Sequence, residues 1–152
     1  MDEIIERFNA SGIRYLVIGG QAARLAGVPR FSMDWDIYIP PHDRNNIDLI
    51  NKVLGDELDV ELVPQGVGGA SFVQTYQTRF GILQFHLGGP GLPPFDQAEE
   101  SAGIGITENG IRVKKLSDED LLMSKEAAGR PEDQIDIEFL KLKLQHANKG
   151  DG

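Results

Sequence analysis

The chain has no cysteine, which excludes both a disulfide framework and a thiolate metal site. No uninterrupted apolar run approaches the ~18 residues that a membrane helix needs. The opening residues Met1-Asp2-Glu3-Ile4-Ile5-Glu6 are acidic and lack the basic-then-apolar order of a secretory signal. Together these absences point to a cytoplasmic location. Basic residues are scarce: 15 Lys and Arg stand against 24 Asp and Glu, a net charge of −9. That balance opposes a protein that coats nucleic acid or binds an anionic membrane through a broad field. It leaves room for a local basic pocket, or for nucleic acid held through a metal ion. There is no Gly-x-Ser-x-Gly and only three histidines, His42, His86 and His146, so a serine hydrolase has little support. No His/Glu spacing suggests zinc. The segment from Gly66 to Ser71 lacks the Gly-Lys-Ser/Thr ending of a phosphate loop and is expected to be a turn.

The chain's 152 residues, 40% hydrophobic and 26% charged, suit one domain over 1–152 with a real core. A helix is expected over Asp2–Ser11, ended by Gly12, with Ile4, Ile5 and Phe8 inward. Ile13–Ile18 is a buried strand and Gln21–Ala26 a short helix. Asp34–Ile39 is a strand stopped by Pro40-Pro41, and Asp43–Leu54 an amphipathic helix with Ile47, Ile50 and Leu54 inward. A strand is expected at Asp59–Val63, and a hairpin at Phe72–Thr78 and Gly81–Leu87. Gly88–Phe95 is expected to be irregular, with a second hairpin over Gly103–Lys115 turning at Asn109-Gly110. Ser117 to Asp120 is a capping box for a helix to Ala128, which Gly129 and Pro131 break. The last helix runs from Pro131 to about His146, with Ile135, Phe139, Leu142, Leu140 and Leu144 available for burial and a frayed end from Asn148. The pattern predicts an α/β fold, a mixed β-sheet flanked by helices with helices at the C-terminus.

The richest stretch is Gly19-Gly20-Gln21 followed by Arg30-Phe31-Ser32-Met33-Asp34-Trp35-Asp36-Ile37. Side chains alternate along a strand, so Asp34 and Asp36 share one face while Trp35, Ile37 and Ile39 share the other. Strands disfavour Asp, and two like charges about 7 Å apart, at roughly 3.3 Å rise per residue, repel. A divalent cation removes that repulsion. Glycines between a strand and a helix allow close backbone approach, and free N–H groups at the helix start attract phosphate. Taken singly, each feature has a plain explanation: a tight turn, or a solvated edge strand.

Together these residues resemble the nucleotidyltransferase superfamily, the fold shared with DNA polymerase β. Its pattern is a hydrophobic strand, Gly-Gly or Gly-Ser, a short helix, then Asp-x-Asp on the next strand. The tail from Leu116 to Lys125 and from Gly129 to Asp136 is similar to AbiEii-type and related minimal nucleotidyltransferases, with a Lys on one helix and an Arg-x-x-Asp-x-x-Asp segment opening the next. The resemblance implies transfer of a nucleoside monophosphate from an NTP to a hydroxyl of protein or RNA, with Mg²⁺ or Mn²⁺. Asp34 and Asp36 would hold the metal, Gly19, Gly20 and Gln21 would cradle phosphate, Arg30 and Lys125 would neutralise it, and Asp133 would support catalysis or the lysine.

The chain departs from the superfamily at the strand Gly81–Leu87. Many members carry a third carboxylate there, whereas here Gln84 and His86 share the face, as neutral candidates for the metal. His86 has a plainer explanation as a hydrogen-bonded histidine near the core. The departure keeps a second expectation open: a weak or inactive binding or regulatory module with a partner protein, as half of a toxin–antitoxin pair. A third, a structural interaction domain, requires that Asp34, Asp36 and Lys125 do not converge on one cleft.

Overall fold

The computed structural model describes residues 1–67 and 72–150. Residues 68–71, most of the expected glycine turn, and the final residues 151–152 lie outside that description. The first helix, α1 (Asp2–Ser11), ends at Gly12 in the left-handed conformation. Strand β1 (Leu16–Ile18), fully buried, passes straight into α2 (Gly19–Leu25). This helix begins two residues earlier than the sequence suggests, so the glycine pair forms its first turn. Then come β2 (Trp35–Tyr38) and α3 (Arg44–Leu54), whose N-cap Asp43 accepts a hydrogen bond from the Asn46 N–H.

A hairpin, β3 (Val73–Thr78) and β4 (Gly81–His86), leads to α4 (Phe95–Glu100). A second hairpin follows, β5 (Gly103–Ile106) and β6 (Arg112–Lys115). Ser117 caps α5 (Asp118–Ala128), accepting from the Asp120 N–H, and Gly129 closes it. A 3₁₀ turn at Pro131–Asp133 opens α6 (Gln134–Gly150).

The strands form one mixed sheet in the order β3-β4-β2-β1-β6-β5. Parallel pairing of β2 with β4 sets Asp36 beside Gln84 and Tyr38 beside His86. Antiparallel pairing of β1 with β2 sets Ile18 beside Asp36. On the opposite face Val17, Ile37, Leu83 and Phe85 join Ile4, Phe8, Ile47 and Ile50 in the core, which also takes in Leu16, Ile18 and Tyr38 from the Asp36 face. Register alone therefore delivers Asp36, Gln84 and His86 to the same face.

Three expectations need correction. Asp59–Val63 forms no strand. The Asn51 side-chain amide bonds both N–H and C=O of Leu62, and Gln74 does the same for Val63. Side chains thus occupy the backbone groups that a neighbouring strand would have used. Second, α4 falls in a region given no regular structure. It is only six residues long and depends on tertiary contacts: Arg14 reaches from before β1 to Asp96 and Glu99, while Phe95 packs edge-on to Tyr38. Third, α6 is rotated relative to its expected apolar face. Ile135 and Leu142 are exposed, while Asp136, Ile137 and Leu140 are buried. A buried lysine on α5 draws the carboxylates inward and sets that rotation.

Candidate functional site

One cleft of about 480 Å³ lies beside Asp36 on its face of the sheet, within the range of small-ligand sites. Gly19, Asp34, Asp36, Gln84 and His86 line its floor, the 89–92 loop one wall, and Ser124, Lys125, Arg130 and Asp133 the other. Asp34, Asp36 and Lys125 thus converge, and the condition required by a purely structural interaction domain is not met.

The two carboxylates differ: Asp36 lies within β2, whereas Asp34, expected on the same strand, falls in the bend just before it. Asp36 Oδ1 is 2.8 Å from His86 Nε2, so the histidine that stands where an acid was sought orients the neighbouring acid. No side chain of the described residues engages the carboxylate of Asp34, which is half-buried at the cleft. Gly19 makes room for the pair. Its φ is +66°, and a Cβ there would lie 2.6 Å from Asp36 Oδ2. Only glycine satisfies both conditions. At Gly20 a Cβ would meet the Ser32 hydroxyl at 2.6 Å, so this glycine lets the loop before β2 close onto α2.

The opposite wall is a buried ionic network. Lys125 is 4% exposed. Its Nζ lies 3.0 Å from Asp133 Oδ1 and 3.1 Å from Asp136 Oδ2. Arg130 clasps Asp133 from the cleft side, Nε to Oδ2 at 2.9 Å, and Arg30 pairs with Asp136. Arg130 Nε also lies 3.6 Å from Glu132 Oε1, so three cations share three carboxylates and the network is balanced in charge. Burial alone would raise the Asp133 carboxyl, but hydrogen bonds from Arg130 and Lys125 outweigh it and hold the group below its ordinary value. The hydrogen bond to Asp133 likewise holds the Arg130 guanidinium above its ordinary value, with Asp36 among the carboxylates whose field contributes. Lys125 is therefore not the surface lysine that its sequence context allows.

Two expected phosphate ligands lie off the cleft. Gln21 is buried and donates to the Ser32 carbonyl, tying the loop to α2. Arg30 supports Asp136 from behind. Gly20 does not line the cleft either; Gly19 does.

The donors present fit a hard divalent cation. Two carboxylates with a neutral amide oxygen beside them match the way Mg²⁺ is held by one or two carboxylates together with phosphate and water. Among the described residues, no group of three or more His, Cys, Asp or Glu side chains forms a metal cluster on its own.

No family model and no curated protein matches the chain. Solved structures do. A Thermotoga maritima protein described as a candidate nucleotidyltransferase aligns with a TM-score of 0.65 at 16% identity, over 95% of this chain and 89% of that one. The antibiotic-resistance factor ANT(2″)-Ia aligns in its solution structure with a TM-score of 0.54 at 19% identity, over 96% and 83%. Its crystal complex with adenylyl-2″-tobramycin gives 0.55 at 18%, over 93% and 85%. The chain has the nucleotidyltransferase fold.

Within that fold, two residues of the Arg-x-x-Asp-x-x-Asp segment that had been given no role of their own belong to the network. Arg130 is the cation nearest open solvent in the cleft wall, and Asp136 joins Arg30 to Lys125. The signal was present in the spacing. An acid three residues after an arginine and another three further on share a helical face, and a lysine on the preceding helix gives that face a reason to be buried.

Proposed function

We propose that this chain transfers a nucleoside monophosphate from a nucleoside triphosphate to a hydroxyl acceptor on protein or RNA. The observation that carries the reading is the convergence, within a nucleotidyltransferase fold, of an unpartnered carboxylate, an oriented carboxylate and a cation-rich wall on one cleft. Asp34 and Asp36 would hold a Mg²⁺ or Mn²⁺ ion, which when bound screens the triphosphate and aligns the reacting groups. Lys125 and Arg130 face the phosphates across the cleft, and Gly19 admits them close to the backbone. The acceptor oxygen forms a bond to the α-phosphorus. The bond from that phosphorus to the oxygen bridging to the β-phosphate breaks, and pyrophosphate leaves. The hydroxyl proton passes to the free carboxylate of Asp34 and on to water. The Lys125 and Asp133 pair supports kinship with the AbiEii-type group.

His86 favours a rival. A histidine bound to Asp36 in place of a third acid suits a binding or regulatory module paired with a partner protein, in the manner of a toxin–antitoxin couple. Calorimetric titration with Mg²⁺-ATP and Mg²⁺-GTP, with Asp36→Ala as control, tests nucleotide binding. Incubation of radiolabelled NTP with cell extract tests transfer. Label that disappears in Asp34→Asn supports the enzyme; binding without any transferred label supports the module.

A further inference from the structure

The sheet ends at β5, and this edge strand is patterned inside out. Gly105 faces α2, where a Cβ would lie 3.1 Å from Leu25 Cβ. Ile104 and Ile106 point the other way and are 49% and 57% exposed, although apolar side chains of an antiparallel strand normally face the core. The backbone of β5 is unfinished as well. The Thr107 N–H donates to the Ile111 carbonyl at 2.9 Å, which makes 107 and 111 a hydrogen-bonded pair. Bonded and non-bonded pairs alternate along an antiparallel ladder. In the β5–β6 register the bonded pairs are therefore Gly105 with Val113 and Gly103 with Lys115. The N–H and C=O groups of Ile104 and Ile106 point out of the sheet edge, where no hydrogen bond from the described residues meets them. Proline, charge and a bulge, devices that keep an exposed edge from pairing, are absent from residues 103–106.

A row of outward amide donors and acceptors at strand spacing is a template for another extended polypeptide. The sequence selects which one. Gly103-Ile104-Gly105-Ile106 is self-complementary about Gly105 in antiparallel register. Ile104 then faces Ile106 of a second copy, Ile106 faces its Ile104, and the two Gly105 residues meet on the axis. The outward groups close four backbone bonds, and the four isoleucines form one apolar row. On the same face of β6, exposed Lys114 stands beside Ile104 and exposed Arg112 beside Ile106. They frame that apolar centre with a polar rim. The cations of the two copies are three strand spacings apart, about 14 Å, which exceeds the Debye length of ~8 Å at physiological salt.

We propose that the chain forms a symmetric dimer by antiparallel pairing of β5 with β5 of a second copy, so that two six-stranded sheets run on as one. No residue of β5 or β6 lines the candidate cleft. Both clefts stay open, and the proposal stands apart from the transfer reading. The contact is small for a specific interface, which makes the dimer weak, with a dissociation constant of about 10–100 µM.

Sedimentation of the full chain from about 5 to 500 µM is expected to show its mass rising from the 16.7 kDa monomer toward twice that value. Ile106→Pro removes an N–H that the β5–β6 ladder does not use and, by symmetry, two of the four new bonds. It is expected to hold the monomer throughout that range with its circular dichroism unchanged. The chain has no cysteine, so introduced thiols report the register. Cα atoms of a bonded antiparallel pair lie ~5.5 Å apart, within disulfide range. An equimolar mixture of Ile104→Cys and Ile106→Cys is expected to crosslink about tenfold faster under mild oxidation than either variant alone. A wild-type mass that stays at the monomer value overturns the proposal, as does a dimer that folded Ile106→Pro leaves intact. Crosslinking no faster in the mixture than in the single variants also overturns it, and that result decides the matter if Ile106→Pro does not fold.

Discussion

Glycine at position 19 answers two separate demands, and they can be told apart. Its positive φ alone makes a side chain costly by roughly 1 kcal/mol. The 2.6 Å approach that a Cβ would make to Asp36 Oδ2 adds a collision that only movement of the carboxylate relieves. Gly110, with φ +82° and open space around it, provides the control. Gly110→Ala is expected to cost only the conformational share, while Gly19→Ala costs more and also abolishes nucleotide binding; equal losses in urea denaturation would refute the collision. Asp133 gives a second residue-scale prediction. Its folded carboxyl titrates below its ordinary 3.8, so its stabilising contribution is complete above that value and is lost as pH falls through the lower, folded one. Asp118, held down by Lys143 and Lys115 against the opposing effect of burial, shares the direction. Wild-type stability is therefore expected to decline below about pH 4, and Asp133→Asn to flatten that decline. Lys125→Met removes the charge that both acids share and is expected to cost about 3 kcal/mol, read from the denaturation midpoint at pH 7.

At the scale of elements, the Leu62–Val63 stretch is held by two side-chain amides instead of a ladder. Asn51→Ala leaves the Leu62 N–H and C=O without their partner and is expected to destabilise by about 1–3 kcal/mol. Amide hydrogen exchange is expected to accelerate at Leu62 and Val63 but not in β3; uniform acceleration would mean that the segment is anchored elsewhere. The same stretch shows where the sequence was legible and where it was not. Local periodicity and caps sufficed for α1, α3, both hairpins and α5, whose signals lie within a few residues: Gly12, Asp43, Asn109-Gly110, Ser117. Alternation in Glu61-Leu62-Val63 looked like a strand because periodicity does not register that Asn51 and Gln74 compete for the backbone. Helix α4 stayed hidden because the arginine that holds it is more than 80 residues away. The Asp-x-Asp motif was visible as a spacing, whereas the Lys125 and Asp133 pair came from the resemblance to the nucleotidyltransferases. The fates of Arg30 and Gln21, turned to support the walls, depended on packing that no local pattern encodes.

At the scale of the whole molecule, the charge distribution sets how a nucleotide arrives. The chain carries −9 overall, and the cleft adds Asp34 and Asp36 opposite a network whose three cations are balanced by three carboxylates. Without a divalent ion both the distant and the local fields repel a triphosphate. Screening by salt then weakens repulsion and does not weaken attraction. With the chelator EDTA present, ATP binding is expected to be weak and to strengthen as salt rises from about 20 to 200 mM, a range over which the Debye length falls well below the size of the domain. With Mg²⁺ present, the two carboxylates are neutralised, the local repulsion is removed, and binding is expected to tighten and to lose its positive salt dependence. Titration calorimetry at four salt concentrations, with and without EDTA, measures both slopes. A chelated protein whose affinity falls with salt would show that Lys125 and Arg130 govern the cleft without a metal, and that the acidic pair is not where the cation belongs.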